Sequence, residues 1–142
     1  MTAAGEGSAT APRPRRVGAW ILVLAYAGLI FWLSSQANPL PFLPRAWLAR
    51  DKVLHALEYA GLGALLFVAL RGRGPRAWRL ALLAAVLASL YGASDEWHQS
   101  FVPGRDADPL DWAADSAGAL AGATIVGPAL AAAFLRRRPG AG

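Results

Sequence analysis

Four stretches of this sequence are apolar for long enough to cross a lipid bilayer: residues 17–33, 53–70, 77–93 and 112–135. The hydrocarbon layer is about 30 Å thick, so a helix needs roughly 17–25 mostly apolar residues to cross it. Within that layer every backbone N–H and C=O must be satisfied inside the protein, which leaves helices and closed barrels. No alternation of the kind a barrel strand requires is present, and no internal repeat. The chain therefore reads as all-α, an integral membrane bundle of about four transmembrane helices over residues 17–135. Residues 1–16, small, polar and proline-containing, read as a disordered cytoplasmic tail, and 136–142 as a basic cytoplasmic tail.

Composition closes the soluble alternative. Hydrophobic residues make up 56% of the 142 positions, charged ones 16%, and the mean hydropathy is +0.35. A soluble domain of that size leaves too much surface exposed to hide such a content. The net charge of +5 is no sign of nucleic-acid binding, because the arginines cluster between apolar stretches. There is no cysteine, which excludes disulfides, thiolate metal sites and a cysteine nucleophile. Arg13, Arg15 and Arg16 before an apolar run imitate a secretory signal. That run is long for a signal, however, and Ser34-Ser35-Gln36-Ala37 is a poor cleavage site, so it reads as the first span.

Cations in short loops favour the cytoplasmic side. The N-terminal tail, the stretch Arg71 to Arg79 and the C-terminal tail hold ten basic residues and one acid. The opposite side holds Arg45, Arg50, Lys52 and Arg105 against eight acids. Both termini are thus expected in the cytoplasm. The Ala, Gly and Arg excess with a single Lys suggests a GC-rich bacterial genome, which makes the chain a multi-pass protein of a bacterial cytoplasmic membrane.

With that topology the unusual polar residues converge at the outer end. Asp51, His55, Glu58 and Tyr59 fall on one stripe of the second helix, with Lys52 beside them. Tyr91, Asp95, His98 and Gln99 share a face of the third, from which Glu96 is expected to point away. Asp108-Pro109 predicts a capped start of the fourth helix, with Asp111 in its first turn. Asp111, Asp115, Gly118 and Gly122 then run in one line into the membrane, and the two glycines permit close helix contact within the monomer.

Ionisable groups inside spanning helices are costly, and they normally face the bundle interior and mark a site. The candidate pocket comprises Asp51, Lys52, His55, Glu58, Tyr59, Asp95, Glu96, His98, Gln99, Arg105, Asp111 and Asp115, with His55, Asp95 and His98 expected in mutual contact. The plainer reading is an interhelical hydrogen-bonded network that orders a small bundle. Arg105, in a Pro103-Gly104 turn, is expected either to pair with Asp95, Glu96 or Asp106 or to meet an anionic ligand. Two His with several carboxylates are ligands Zn²⁺ accepts, but HExxH is absent and Asp95-x-x-His98 is a common spacing, so neither metal nor cofactor is expected.

Three blocks carry a family resemblance. Asp51-Lys52-x-x-His55-x-x-x-Tyr59-x-x-Leu62-Gly63, then Ser94-Asp95-Glu96-x-His98-Gln99-x-Phe101-x-Pro103-x-Arg105, then Asp111-x-x-x-Asp115-x-x-Gly118-x-x-x-Gly122, resemble the VanZ-like family in order and spacing. Where members often carry Asn, this chain has Asp115. The family is one of small multi-helix bacterial membrane proteins named for a teicoplanin-resistance protein. The resemblance implies a role at the cell envelope. The leading expectation is an outward polar pocket that binds or modifies a membrane lipid or lipid-linked envelope precursor, with an effect on glycopeptide susceptibility. The alternatives are a non-catalytic accessory or binding membrane protein and a small proton-coupled transporter. Nucleic acid is not an expected partner, and the sequence leaves the oligomeric state open.

Overall fold

Two glycines on the last span sit where side chains would collide with another helix's backbone, and the fold is organised around that approach. The structure, a computed structural model, describes residues 14–37, 51–71 and 77–136, and of residues 14–16, 51 and 134–136 only the backbone. The expectations for most of the two tails, for Arg45, Arg50, Arg73 and Arg76 in the loops, and for the Asp51 side chain lie outside the described residues. The elements are α1 (Pro14–Ser34), α2 (Asp51–Leu70), α3 (Ala77–Gln99), α4 (Pro109–Ala121) and α5 (Gly127–Arg136), with a π-helical turn Gly122–Val126 joining α4 to α5. Among the described residues four helices are long and apolar enough to cross a membrane: Val17–Ser34, Lys52–Leu70, Ala77–Gln99 and Pro109–Ala133. No strand occurs among them.

Helix boundaries extend past the apolar runs. α1 starts at Pro14, a residue suited to a first helical turn because its missing N–H would lack an intrahelical partner anyway. α3 continues past its apolar run through Ser94–Gln99, and the fourth span begins at Pro109, as the shared face of the third helix and the Asp108-Pro109 cap predict. Helical hydrogen bonding does not require apolar side chains, and these polar residues have partners inside the bundle. The 94–111 connection therefore shrinks to a short loop. In it Arg105 N–H donates to Val102 O at 3.1 Å across Pro103-Gly104, with Gly104 at φ 84°. Pro at the second position and a left-handed Gly at the third are what a type II turn requires.

The π turn also has a sequence cause. Pro128 has no N–H to give to the carbonyl one turn back, and its ring would crowd that carbonyl. Widening the turn lets the Gly127 N–H reach Gly122 O and keeps the helix continuous.

The molecule is apolar outside as well as inside. Leu24, Leu57, Leu90 and Ile125 are 62–69% exposed, the surface a bilayer covers. The core is a cluster of Tyr59, Leu62, Leu66 and Phe67 from α2 set against small residues: Ala84, Ala85 and Ala88 of α3, Ala119 of α4 and Ala123 of the π turn. A Cβ on Gly118 would overlap Ala56 O, one on Gly122 would overlap Ala60 O, and one on Gly63 would overlap Ala119 O. The Gly118-x-x-x-Gly122 motif thus brings the fourth span onto the α2 backbone within one chain, as expected from the sequence. Tyr26 of α1 occupies the space over Gly61 and donates to Glu58 O at 3.1 Å. Tyr91 of α3 donates to Ala27 O at 2.8 Å, so both helices grip α1.

Replacing Gly122 by Val should therefore destabilise the bundle by about 3 kcal/mol or more, since the obstacle is backbone that cannot turn aside. Gly28, whose Cβ would meet nothing within 4 Å, should accept Ala with no loss, or with a gain of up to about 1 kcal/mol. Detergent-denaturant unfolding of the two variants beside the wild type measures both, and equal effects would refute the proposed contact.

Candidate functional site

The start of α4 binds three helices together. Asp108 is its N-cap: Oδ1 accepts from the Leu110 N–H at 2.8 Å, and Oδ2 accepts from Lys52 Nζ at 2.7 Å. The same ammonium donates to Asp111 Oδ1 at 2.7 Å. The Asp108 N–H donates to Glu96 Oε2 of α3 at 2.9 Å. The Lys52 hydrogen bond, and after it the Leu110 N–H, hold the Asp108 carboxyl below its ordinary value. The cap expected from Asp108-Pro109 is thus also an ion-pair junction between α2 and α4.

Deeper in, His55 Nδ1 lies 2.9 Å from Asp115 Oδ1, and the two side chains are 8% and 0% exposed. Gly92 of α3 makes the room: a Cβ there would stand 3.1 Å from Asp115 Oδ2 and 3.2 Å from the Tyr59 ring. Glu96 completes a group of three, with one nitrogen or oxygen of each residue within 4.8 Å of the others. Glu96 Oε1, Asp115 Oδ2, Asp95 Oδ1 and the Tyr59 hydroxyl are buried and have no hydrogen-bond partner among the described residues. Buried polar atoms normally have partners, so four orphans in one region are informative. Glu58 is half-buried on α2, with His55, Asp95 and Asp115 as its electrostatic neighbours.

A second arm runs to α1. Asp95 Oδ2 lies 2.7 Å from Ser34 Oγ and accepts from Gln99 Nε2 at 2.9 Å. Gln99 Oε1 in turn accepts from Arg105 Nη2 at 2.6 Å and Nε at 3.2 Å. His98 stacks on Phe31 with ring centroids 4.6 Å apart, and its Nε2 lies 3.0 Å from Ser35 Oγ.

Two expectations change, and a third gains a partner. Glu96 does leave the face that Asp95 occupies, and it is buried there: it faces α4 while Asp95 faces α1. His55 has Asp115 and Glu96 around it, whereas Asp95 and His98 meet Ser34 and Ser35, so the expected trio is spread over two arms. Arg105 binds the Gln99 carbonyl and reaches Asp95 only through that amide. The sequence reading missed Ser34 and Ser35, having placed them in a loop. Two hydroxyls ending an apolar run were the available signal.

The profile of the VanZ/LLP1 family matches residues 19–131. No curated protein and no solved structure matches the chain.

The depressed Asp108 carboxyl has a consequence for pH. A lowered folded-state value means that the pair contributes stability above the ordinary carboxylate range, and that this is lost as pH falls through the folded value. Asn also caps helices, so Asp108→Asn removes the charge and keeps the cap. The stability difference between wild type and Asp108→Asn should be flat near neutral pH and shrink below about pH 4. A difference that is unchanged or grows on acidification contradicts the assignment.

Proposed function

The chain belongs to the VanZ/LLP1 family, and on that premise we propose that its polar end binds or modifies the anionic headgroup of a membrane lipid or lipid-linked envelope precursor. The observation that carries this reading is the arrangement of nitrogen donors at the edge of the buried carboxylates. Lys52 is exposed, and His98 and Arg105 are half-buried. They flank Asp95 and Glu96 from the two arms of the network. A planar guanidinium matches a phosphate with two parallel hydrogen bonds. The basic residues of the two tails and of the Arg71 to Arg79 stretch favour an outward-facing site with cytoplasmic termini, and an outward site meets envelope precursors and the glycopeptides that bind them. An effect on teicoplanin-type susceptibility would follow from altering that lipid pool.

A second reading, an accessory protein that binds without reacting, is favoured by the hydrogen bonds that tie Arg105 to Gln99 and Gln99 to Asp95 Oδ2. His98 separates the two. In an enzyme His98→Ala abolishes the envelope effect with the fold intact, and in a binder it weakens it by degrees.

Mass spectrometry of the protein released from detergent should show a co-purifying phosphate-bearing lipid. Arg105→Lys should lower its retention about tenfold or more, as loss of a charge-assisted hydrogen bond of about 1.5–3 kcal/mol implies, while stability barely moves. Absence of any retained lipid, or equal retention by the variant, would count against the proposal.

A further inference from the structure

We propose that His55 of α2, Glu96 of α3 and Asp115 of α4 form a binding site for one divalent transition-metal cation of the Zn²⁺ class. The inference goes beyond the headgroup reading and stands without it.

The three residues supply one donor atom each within a 4.8 Å span. Two donors on a tetrahedral Zn²⁺ stand about 3.3–3.6 Å apart, given bonds of roughly 2.0–2.2 Å. The widest pair of the group therefore closes by up to about 1.5 Å, which rotation of a carboxylate supplies. The His55–Asp115 pair, at 2.9 Å, opens by about half an ångström to admit the ion. All three residues are at least nine-tenths buried: 7% exposed for His55 and Glu96, 0% for Asp115.

The independent observation is the pair of orphan oxygens. Glu96 Oε1 and Asp115 Oδ2 are buried with no hydrogen-bond partner among the described residues. Protonation does not resolve this, because a carboxylic O–H needs an acceptor as much as the bare oxygen needs a donor. The cations of the region are engaged elsewhere, Lys52 with Asp108 and Asp111 and Arg105 with Gln99. A protonated His55 offsets at most one of these two buried carboxylates, the other is costly inside a membrane protein, and a divalent cation cancels both.

The donor set selects the class. Mg²⁺ and Ca²⁺ prefer all-oxygen cages, whereas one imidazole with carboxylates suits Zn²⁺ and its neighbours. Three protein ligands leave a position for water or for a phosphate oxygen. No short motif announces the site, because each ligand comes from a different helix.

The test uses tag-free, full-length protein in detergent, stripped with chelator, reloaded with Zn²⁺ and analysed for metal per chain. We expect about one equivalent, with Glu96→Gln and Asp115→Asn each weakening binding at least tenfold in competition with a chromogenic chelator. Should these variants fail to fold, X-ray absorption on Zn²⁺-loaded His98→Ala decides. The chain has only two histidines, so an imidazole signal there belongs to His55, and oxygen scatterers complete the shell. A wild type that retains no Zn²⁺, full affinity in both carboxylate variants, or a bound ion without imidazole would each overturn the assignment.

Discussion

The approach of the fourth span to α2 sets the position of nearly every other group. With Gly118 and Gly122 against the carbonyls of Ala56 and Ala60, the two backbones lie closer than any pair of ordinary side chains permits. In a bilayer, where lipid is as apolar as leucine, such close packing and interhelical hydrogen bonds hold helices together. His55 directly precedes Ala56, and Asp115 stands three residues before Gly118, so the contact that packs the helices also delivers imidazole to carboxylate. The capping junction of Lys52, Asp108 and Asp111 continues the same seam toward the membrane surface. Structure and site are thus one arrangement read at different depths.

The remaining helices complete it in unequal ways. α3 lies between two neighbours and sends consecutive side chains to each, Asp95 to α1 and Glu96 to α4. α1 contributes no charged group to the network, only the Ser34 and Ser35 hydroxyls at its end and, deeper, the Tyr26 hydroxyl. The exposed large residues of the four spans are leucine, isoleucine and valine with tryptophan and phenylalanine among them, and the buried carboxylates gather at one end. A bundle this small has little apolar interior, and its core is mostly alanine. The hydrogen bonds between helices therefore carry a larger share of specificity than they would in a soluble domain.

Much of this was legible in the sequence. The four spans follow from length and hydropathy, the cap from Asp108-Pro109, the Gly104 turn from Pro103-Gly104, and the helix contact from the glycine spacing. What escaped has a common physical cause. Residues 95 and 96 are about 100° apart on a helix, so a pattern with one shared face places Glu96 off that face without saying which helix it meets. A helix with neighbours on two sides has two buried faces, and only tertiary packing reveals that. Arg105 was misjudged because its partner was sought among charges, while the Gln99 amide stands between it and Asp95. Ser34 and Ser35 escaped because hydroxyls interrupt hydropathy without announcing a site.

The account depends most on the joining of α2 and α4 through His55 and Asp115 inside the bundle. A double-mutant cycle on unfolding stability, with His55→Ala, Asp115→Ala and the pair measured in chelator, isolates that link. The account predicts a coupling of at least about 1 kcal/mol, because each single substitution leaves the other group buried without its partner. Additivity within about 0.3–0.5 kcal/mol would mean that the two side chains do not meet, and the site as described would not exist.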